Sequence, residues 1–170
     1  AASGNIANIT IDDNSALALG QGSALTISGN MTVTSGGALT QANEVISSSG
    51  TGTLTLKTTT HNITLNDADN SFATLTITQA NNITYRDTNA IAFGASDVNG
   101  TFSLTAGGAV TQSGALDIED VTTISASGQN VTLATATNDF DAAVLVTGQA
   151  VQLVDANAIV LGASDIDGTF

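Results

Sequence analysis

Three kinds of residue in this chain have types and spacings that could do chemistry: a single histidine, a few clustered carboxylates and recurring threonines. His61 is the only histidine, so any Ser-His-acid triad would have to use it as its base. It stands in Thr-Thr-Thr-His61-Asn, and Gln129 holds the corresponding place in the next copy of the surrounding sequence, which reads as an exposed turn. The densest acidic cluster is Asp117, Glu119 and Asp120. In a strand, Asp117 and Glu119 project to one side and Ile118 to the other. Two carboxylates on one face could hold Ca²⁺, or act as acid and base in polysaccharide cleavage. A sugar site also needs basic or aromatic groups, and Lys57, Arg86 and Tyr85 are almost the whole supply. A solvated acidic face is therefore expected, with no catalytic residue assigned.

Asp97 with Asn99, and Asp165 with Asp167, recur in an Ala-Ser-Asp-(Val/Ile)-(Asn/Asp)-Gly stretch. Oxygen ligands at i and i+2 before Gly are compatible with a calcium loop, but neither the nonapeptide array nor the twelve-residue loop pattern is present. These side chains are expected to cap turn N–H groups. No cofactor is expected, Ca²⁺ being the one candidate. Thr-x-Thr occurs at Thr32/Thr34, Thr53/Thr55, Thr58/Thr60 and Thr74/Thr76. A flat threonine ladder is how ice-binding solenoids meet ice. These pairs are not expected to recur at one coil spacing, and Thr74/Thr76 aligns with Ala142/Val144 in the next copy, so they read as exposed strand residues.

The elements that would position these groups are announced by repetition. Asp87–Phe102 returns as Asp155–Phe170, with eleven of sixteen positions identical at an offset of 68. Asn62-Ile-Thr-Leu65 returns as Asn130-Val-Thr-Leu133, and Asn70-Ser-Phe72 as Asn138-Asp-Phe140. Thr34–Gln41 matches Thr105–Gln112 at an offset of 71, and Asp13–Gly20 matches Asp87–Gly94 at 74. The offsets require length changes between Gly20 and Met31 and between Gln41 and Asn62, both Gly/Ser/Asn-rich stretches where loops absorb them. Copies run approximately 13–86 and 87–154, with a third starting at 155–170. A period of this size marks a repeat architecture in which each unit covers its neighbour. The chain is expected to be one continuous segment over 1–170, cut from a longer array.

Short runs such as Thr101–Thr105, Ala109–Gln112, Leu116–Glu119, Thr122–Ser125, Val131–Ala134 and Val151–Val154 alternate apolar residues with Thr, Ser or acid, the period of a strand with one buried face. No stretch shows helical periodicity. The expected fold is all-β, a parallel β-solenoid (right-handed β-helix) of about three coils per repeat, with about 20–25 residues in each coil. Gly and Asn are expected in left-handed corners. The absence of proline agrees, because nearly every strand N–H must bond the next coil. An antiparallel Ig-like sandwich would be larger per unit and richer in core aromatics.

Net charge is −13, from fifteen acidic residues against Lys57 and Arg86. Nucleic acid and anionic membrane surfaces are poor partners for such a chain. Cysteine is absent, so bridges give no compartment. No apolar run approaches the roughly 20 residues of a membrane-spanning helix, and no basic, apolar leader opens the sequence.

The phrases TAGGAVTQSGAL, GQNVTLATATNDF and VQLVDANAIVLGASDIDGTF resemble repeats of filamentous-haemagglutinin-like adhesins and β-strand-repeat exoproteins, very large secreted bacterial proteins. The resemblance implies export to the cell surface and a rigid extracellular rod, an adhesin stalk or filament, with no enzymatic residues. Its implied partners are further copies of itself, by end-to-end stacking or continuation of the same chain, and host or cell-surface glycans. A carbohydrate-active β-helix and a calcium-dependent assembly module are the alternatives.

Overall fold

The computed structural model describes residues 6–42, 44–48 and 51–170, and these contain strands and no helix. The chain winds through successive turns. The first holds β1 (Ile9–Asp13), β2 (Leu17–Leu19) and β3 (Leu25–Thr26), the second β4 (Met31–Ser35), β5 (Leu39–Gln41) and β6 (Ile46–Ser47). The third has β7 (Thr53–Lys57) and β8 (Ile63–Leu65), and the fourth β9 (Thr74–Gln79) and β10 (Ile83–Asp87). Then follow β11 (Ile91–Phe93), β12 (Ser96–Val98) and β13 (Phe102–Ala106), and next β14 (Val110–Gln112), β15 (Leu116–Ile118) and β16 (Thr122–Ser125). The last strands are β17 (Val131–Leu133), β18 (Asp139–Phe140), β19 (Ala143–Gly148), β20 (Val151–Leu153), β21 (Val160–Leu161) and β22 (Asp165–Ile166).

All pairings are parallel and join consecutive turns. One long sheet runs β1-β4-β7-β9-β11-β14-β17-β20, and the opposing one β2-β5-β8-β10-β13-β16-β19-β21, with β22 also on β19. Two short edge sheets, β3-β6 and β12-β15-β18, bridge the long ones. The fold is the expected parallel β-solenoid, about seven turns tall.

The pitch differs from the expected three coils per repeat. β2 and β11 are equivalent by sequence, yet β2 lies in the second sheet and β11 in the first; β5 and β14 are exchanged in the same way. Three full turns carry β2 through β5 and β8 to β10, and a further half turn reaches β11. One repeat is thus three and a half turns, rising about 17 Å at roughly 4.8 Å per strand. Successive repeats are turned by half a revolution, and every surface feature of one returns on the opposite side in the next. The physical reason is that two short links follow in succession, Ala80–Asn82 from β9 to β10 and Thr88–Ala90 from β10 to β11, whereas the first two returns to the first sheet pass through the edge strands β3 and β6.

Inward positions alternate strictly with outward ones, as in Met31, Val33 and Ser35 of β4 or Ile83, Tyr85 and Asp87 of β10. The inward side chains form one continuous core, including an edge-to-face pair of Phe93 and Phe102 with ring centroids 5.2 Å apart. The length changes fall where expected, in the loop after Gly20 and in the stretches flanking β6.

The corners are built differently from the expectation of left-handed Gly and Asn. Positive φ occurs at Gly20, Gly22, Gly128 and Thr59, and at no described Asn. The Gly-Gly corners serve close approach instead. A Cβ on Gly107 would collide with the Thr88 carbonyl oxygen, and one on Gly36 with that of Asn14.

Candidate functional site

The side chains singled out by sequence do not converge on one surface. His61 is exposed in the turn between β7 and β8, its Nδ1 3.4 Å from the Thr58 carbonyl oxygen. Tyr85 is buried and donates from its hydroxyl to Asp87 Oδ2 at 2.9 Å, so it offers no platform for a sugar. Lys57 lies on a strand of the first long sheet and Arg86 on one of the second.

Asp97 and Asp117 come together on the β12-β15-β18 edge, while Asp165 lies in β22 against β19. Asp97 pairs in register with Asp117, and Asp117 with Asp139, giving a column of carboxylates one strand apart. Glu119 lies just beyond β15, exposed like Asp117 with Ile118 buried between them, as the strand period requires. A shallow open groove beside the column is lined by Asp97, Ser96 and Asp117 together with Ile77, Ala95 and Ala115, and Glu119 takes no part in it. Burial and the neighbouring carboxylates of Asp97, Asp139 and Asp141 push Asp117 above the ordinary carboxylate range. Among the described residues no three His, Asp or Glu side chains converge in a way that could hold a metal ion.

Asp97 and Asp165 sit in strands rather than in a turn, and Asn99 and Asp167 follow them. Contrary to expectation, none of these four side chains caps a turn N–H among the described residues. The caps come from other residues: Asp13, Asp67 and Asp87 each accept from the N–H two residues on, and asparagines accept from the neighbouring turn. Asn82 Oδ1 accepts from Thr101 N at 2.8 Å, Asn30 Oδ1 from Thr53 N at 2.9 Å, and Asn8 Oδ1 from Asn30 N at 2.8 Å.

The threonines also depart from expectation, since they do stack. Thr10, Thr32, Thr55 and Thr76 form one column on the first sheet. Thr40, Thr64, Thr84, Ser103 and Thr123 form another on the second, ending at Leu145. By pairing register, Thr74/Thr76 corresponds to Ala143/Leu145, because one extra residue precedes β19.

Sequence reasoning missed the most connected polar groups. Asn70 and Asn138 are fully buried, and each clasps a glutamine one turn below. Gln112 Nε2 donates to Asn138 Oδ1 at 2.7 Å, and Asn138 Nδ2 returns to Gln112 Oε1 at 2.9 Å. Gln41 and Asn70 repeat the exchange at 2.6 and 2.9 Å. Asp87 is the second such group, holding Phe72 N, Tyr85 Oη and Asn89 N; its burial raises its pKa and these donors offset part of the rise. Recurrence of Gln and Asn in both copies was the available signal.

Residues 6–79 and 80–147 match the family described as repeats of unknown function (DUF5649). The chain belongs to this family. The lengths of its two DUF5649 units reproduce the longest and shortest periods read from the offsets, cut at another point of the cycle. Each unit closes on β9 or β19, and the half-revolution falls between them. No curated protein and no solved structure matches the chain.

The two DUF5649 units differ at this edge. Where the second carries Asp97, Asp117 and Asp139, the first carries the in-register column Thr26, Ser47 and Ser71. The fold therefore does not require the carboxylates, and like charges in register cost stability. Because the folded pKa of Asp117 is raised, its protonated form is favoured by folding. Its stabilising contribution is complete below the ordinary range and is lost as pH rises through the folded value. Asp117→Asn should raise stability at pH 7 by about 0.5 kcal/mol. The gain should shrink as the pH approaches 4. Thermal unfolding of both proteins across pH 3.5–7.5 checks this, and a constant difference over that range would rule the repulsion out.

Proposed function

We propose that this chain is a structural segment of an extracellular bacterial surface protein, a rigid rod serving as adhesin stalk or extracellular filament. The observation that supports it best is continuity: two long parallel sheets pass from the first DUF5649 unit into the second without a break, over one continuous core. Such a rod resists bending and proteolysis because each interior strand hydrogen-bonds both neighbours, and local opening exposes little backbone. Its acidic edge keeps it soluble and disfavours lateral sticking. The reading includes no catalytic role and no bound cofactor. Its partners are further copies of the repeat, in the same chain or stacked end to end, and surface glycans reached by whatever the rod displays. Nucleic acid and membrane insertion are not part of it; among the described residues no helix is long and apolar enough to cross a membrane.

The likeness to filamentous-haemagglutinin-like repeats supports the extracellular placing. Three measurements test the proposal. Small-angle scattering on chains of two, four and six units should show length growing by about 17 Å per unit at constant cross-section. Antibodies raised against the segment should label intact cells of the producing bacterium. Labelling only after permeabilisation would refute the surface role while leaving the rod. Addition of a chelator should leave the melting temperature unchanged, and a large drop would move the calcium-dependent assembly reading ahead of this one.

A further inference from the structure

Five strands begin directly after an asparagine: β1, β4, β8, β10 and β17 follow Asn8, Asn30, Asn62, Asn82 and Asn130. In each of them an inward apolar residue comes next, and the outward residue after it is Thr10, Thr32, Thr64, Thr84 or Thr132. The asparagine has a structural task that accounts for it. Each Oδ1 accepts a backbone N–H of the following turn, from Asn30, Thr53, Asn82, Thr101 and Ala150 at 2.8, 2.9, 3.2, 2.8 and 3.3 Å. Nothing in that task calls for a hydroxyl two places on. Where alanine precedes the strand instead, at β2, β5, β11, β14, β15 and β20, the outward residue is Ala18, Thr40, Ala92, Thr111, Asp117 and Gln152. Threonine at this place goes with the asparagine and not with the strand.

We propose that Asn30, Asn62 and Asn130 are acceptor sites for N-linked sugar, with Thr32, Thr64 and Thr132 completing the Asn-x-Thr motif that a glycosyltransferase reads. All three asparagines are exposed. The strand period sets each asparagine and its threonine on the same outer face, with one inward residue between them. While Oδ1 is held by the next turn, Nδ2 of these three donates no bond among the described residues, so the nitrogen is available. Asn82 differs, because its Nδ2 donates to Asn62 Oδ1 at 3.2 Å and the side chain is half-buried. The donor is a sugar carried on a diphosphate. Its anomeric carbon forms a bond to Nδ2, the carbon–oxygen bond to the diphosphate breaks, and one Nδ2 proton passes to a base of the transferase. No oxidation or reduction takes place. The modified amide keeps its carbonyl oxygen and one hydrogen, so the cap on the next turn survives.

The inference goes beyond the rod reading and holds whether the rod is a stalk or a filament. Asn62 and Asn130 are repeat equivalents, yet β8 lies in the second long sheet and β17 in the first. Their sugars therefore leave the rod on opposite sides. Bulky, hydrated groups beside the threonine columns would keep the flat faces of neighbouring rods from packing together.

The test is peptide mass spectrometry of the polypeptide isolated from the producing cells, alongside Thr132→Ala and Thr132→Ser variants expressed in the same cells. Sugar is expected on Asn30, Asn62 and Asn130. Asn14 and Asn66 are internal controls: both are exposed, but Ala16 and Ala68 stand two places on, and both should be bare. Thr132→Ala should lose the sugar from Asn130 alone, and Thr132→Ser should retain it. A single sugar at each site points to a nucleoside-diphosphate donor and a preassembled oligosaccharide to a lipid-diphosphate donor; either upholds the proposal. A bare asparagine at one of the three removes that site, and bare asparagines at all three overturn the proposal. Sugar on Asn14 or Asn66, or on Asn130 in the Thr132→Ala protein, also overturns it, because attachment would then ignore the motif.

Discussion

Asn138→Ala lowers the free energy of unfolding by about 3 kcal/mol, the expected result for removing a buried group that satisfies several others. Asn138 Oδ1 accepts from Leu116 N at 3.0 Å and from Gln112 Nε2, while its Nδ2 donates to the carbonyls of Leu133 and Val154 at 3.2 and 3.1 Å. Alanine leaves the Leu116 N–H buried at the start of an edge strand with nothing to bond, and a void where the amide stood. Each orphaned buried group costs about 1–3 kcal/mol, whereas an average satisfied hydrogen bond contributes only about 1 kcal/mol. Asn138→Asp should cost no less. It keeps the shape but cannot donate to either carbonyl, and it places a charge between acceptors. Urea unfolding at 25 °C measures both. A loss under about 1 kcal/mol for the alanine variant would mean that water or a shifted Gln112 replaces the amide. Asn70→Ala gives an internal comparison, because Asn70 clasps Gln41 and accepts from Ile46 N at 3.0 Å in the same manner.

How far the sequence exposes this architecture depends on whether a feature is local. Strand alternation is local, so the inward Val, Ile and Leu of β13 to β20 are legible directly from Phe102-Ser-Leu-Thr or Val131-Thr-Leu. The repeat is long-range but needs only identity, and Asp87–Phe102 against Asp155–Phe170 supplies it. The half turn is neither. It depends on how much chain each corner consumes, and the turn from Val144 to Leu161 is much shorter than that from Leu39 to Ile63. That variation also hid the threonine columns, because Thr32 pairs with Thr55 and Thr55 with Thr76 across steps of unequal length. The amide clasp stayed illegible for the same reason. Gln112 and Asn138 lie far apart along the chain and meet only once the register of β14, β15 and β17 is known. The carboxylate pair expected at Asp117 and Glu119 gave way to Asp97, Asp117 and Asp139 because nearest neighbours across turns outrank neighbours along a strand.

Val131→Asp should cost roughly 5 kcal/mol or more, among the largest effects a single substitution here could have. Val131 is fully buried and stands in register between Val110 and Val151, so a carboxylate there would face apolar side chains above and below. It would fold only when protonated, so part of the lost stability should return below about pH 5. Thr132→Asp, at the next position, is the control. Thr132 is half-buried on the outer surface in register with Gln152, and should cost about 0.5 kcal/mol or less. The contrast tests the inside–outside assignment at a single step along the strand. The extent of the damage tests something further. In a quasi-one-dimensional stack each turn leans only on its neighbours, so disruption at β17 should spread first through the second unit. Amides of β4 and β7 should then keep their exchange protection while those of β14, β17 and β20 lose it. Loss of protection throughout would instead make the two units one cooperative structure, with stability shared across the half-turn junction at Ala80–Asn82.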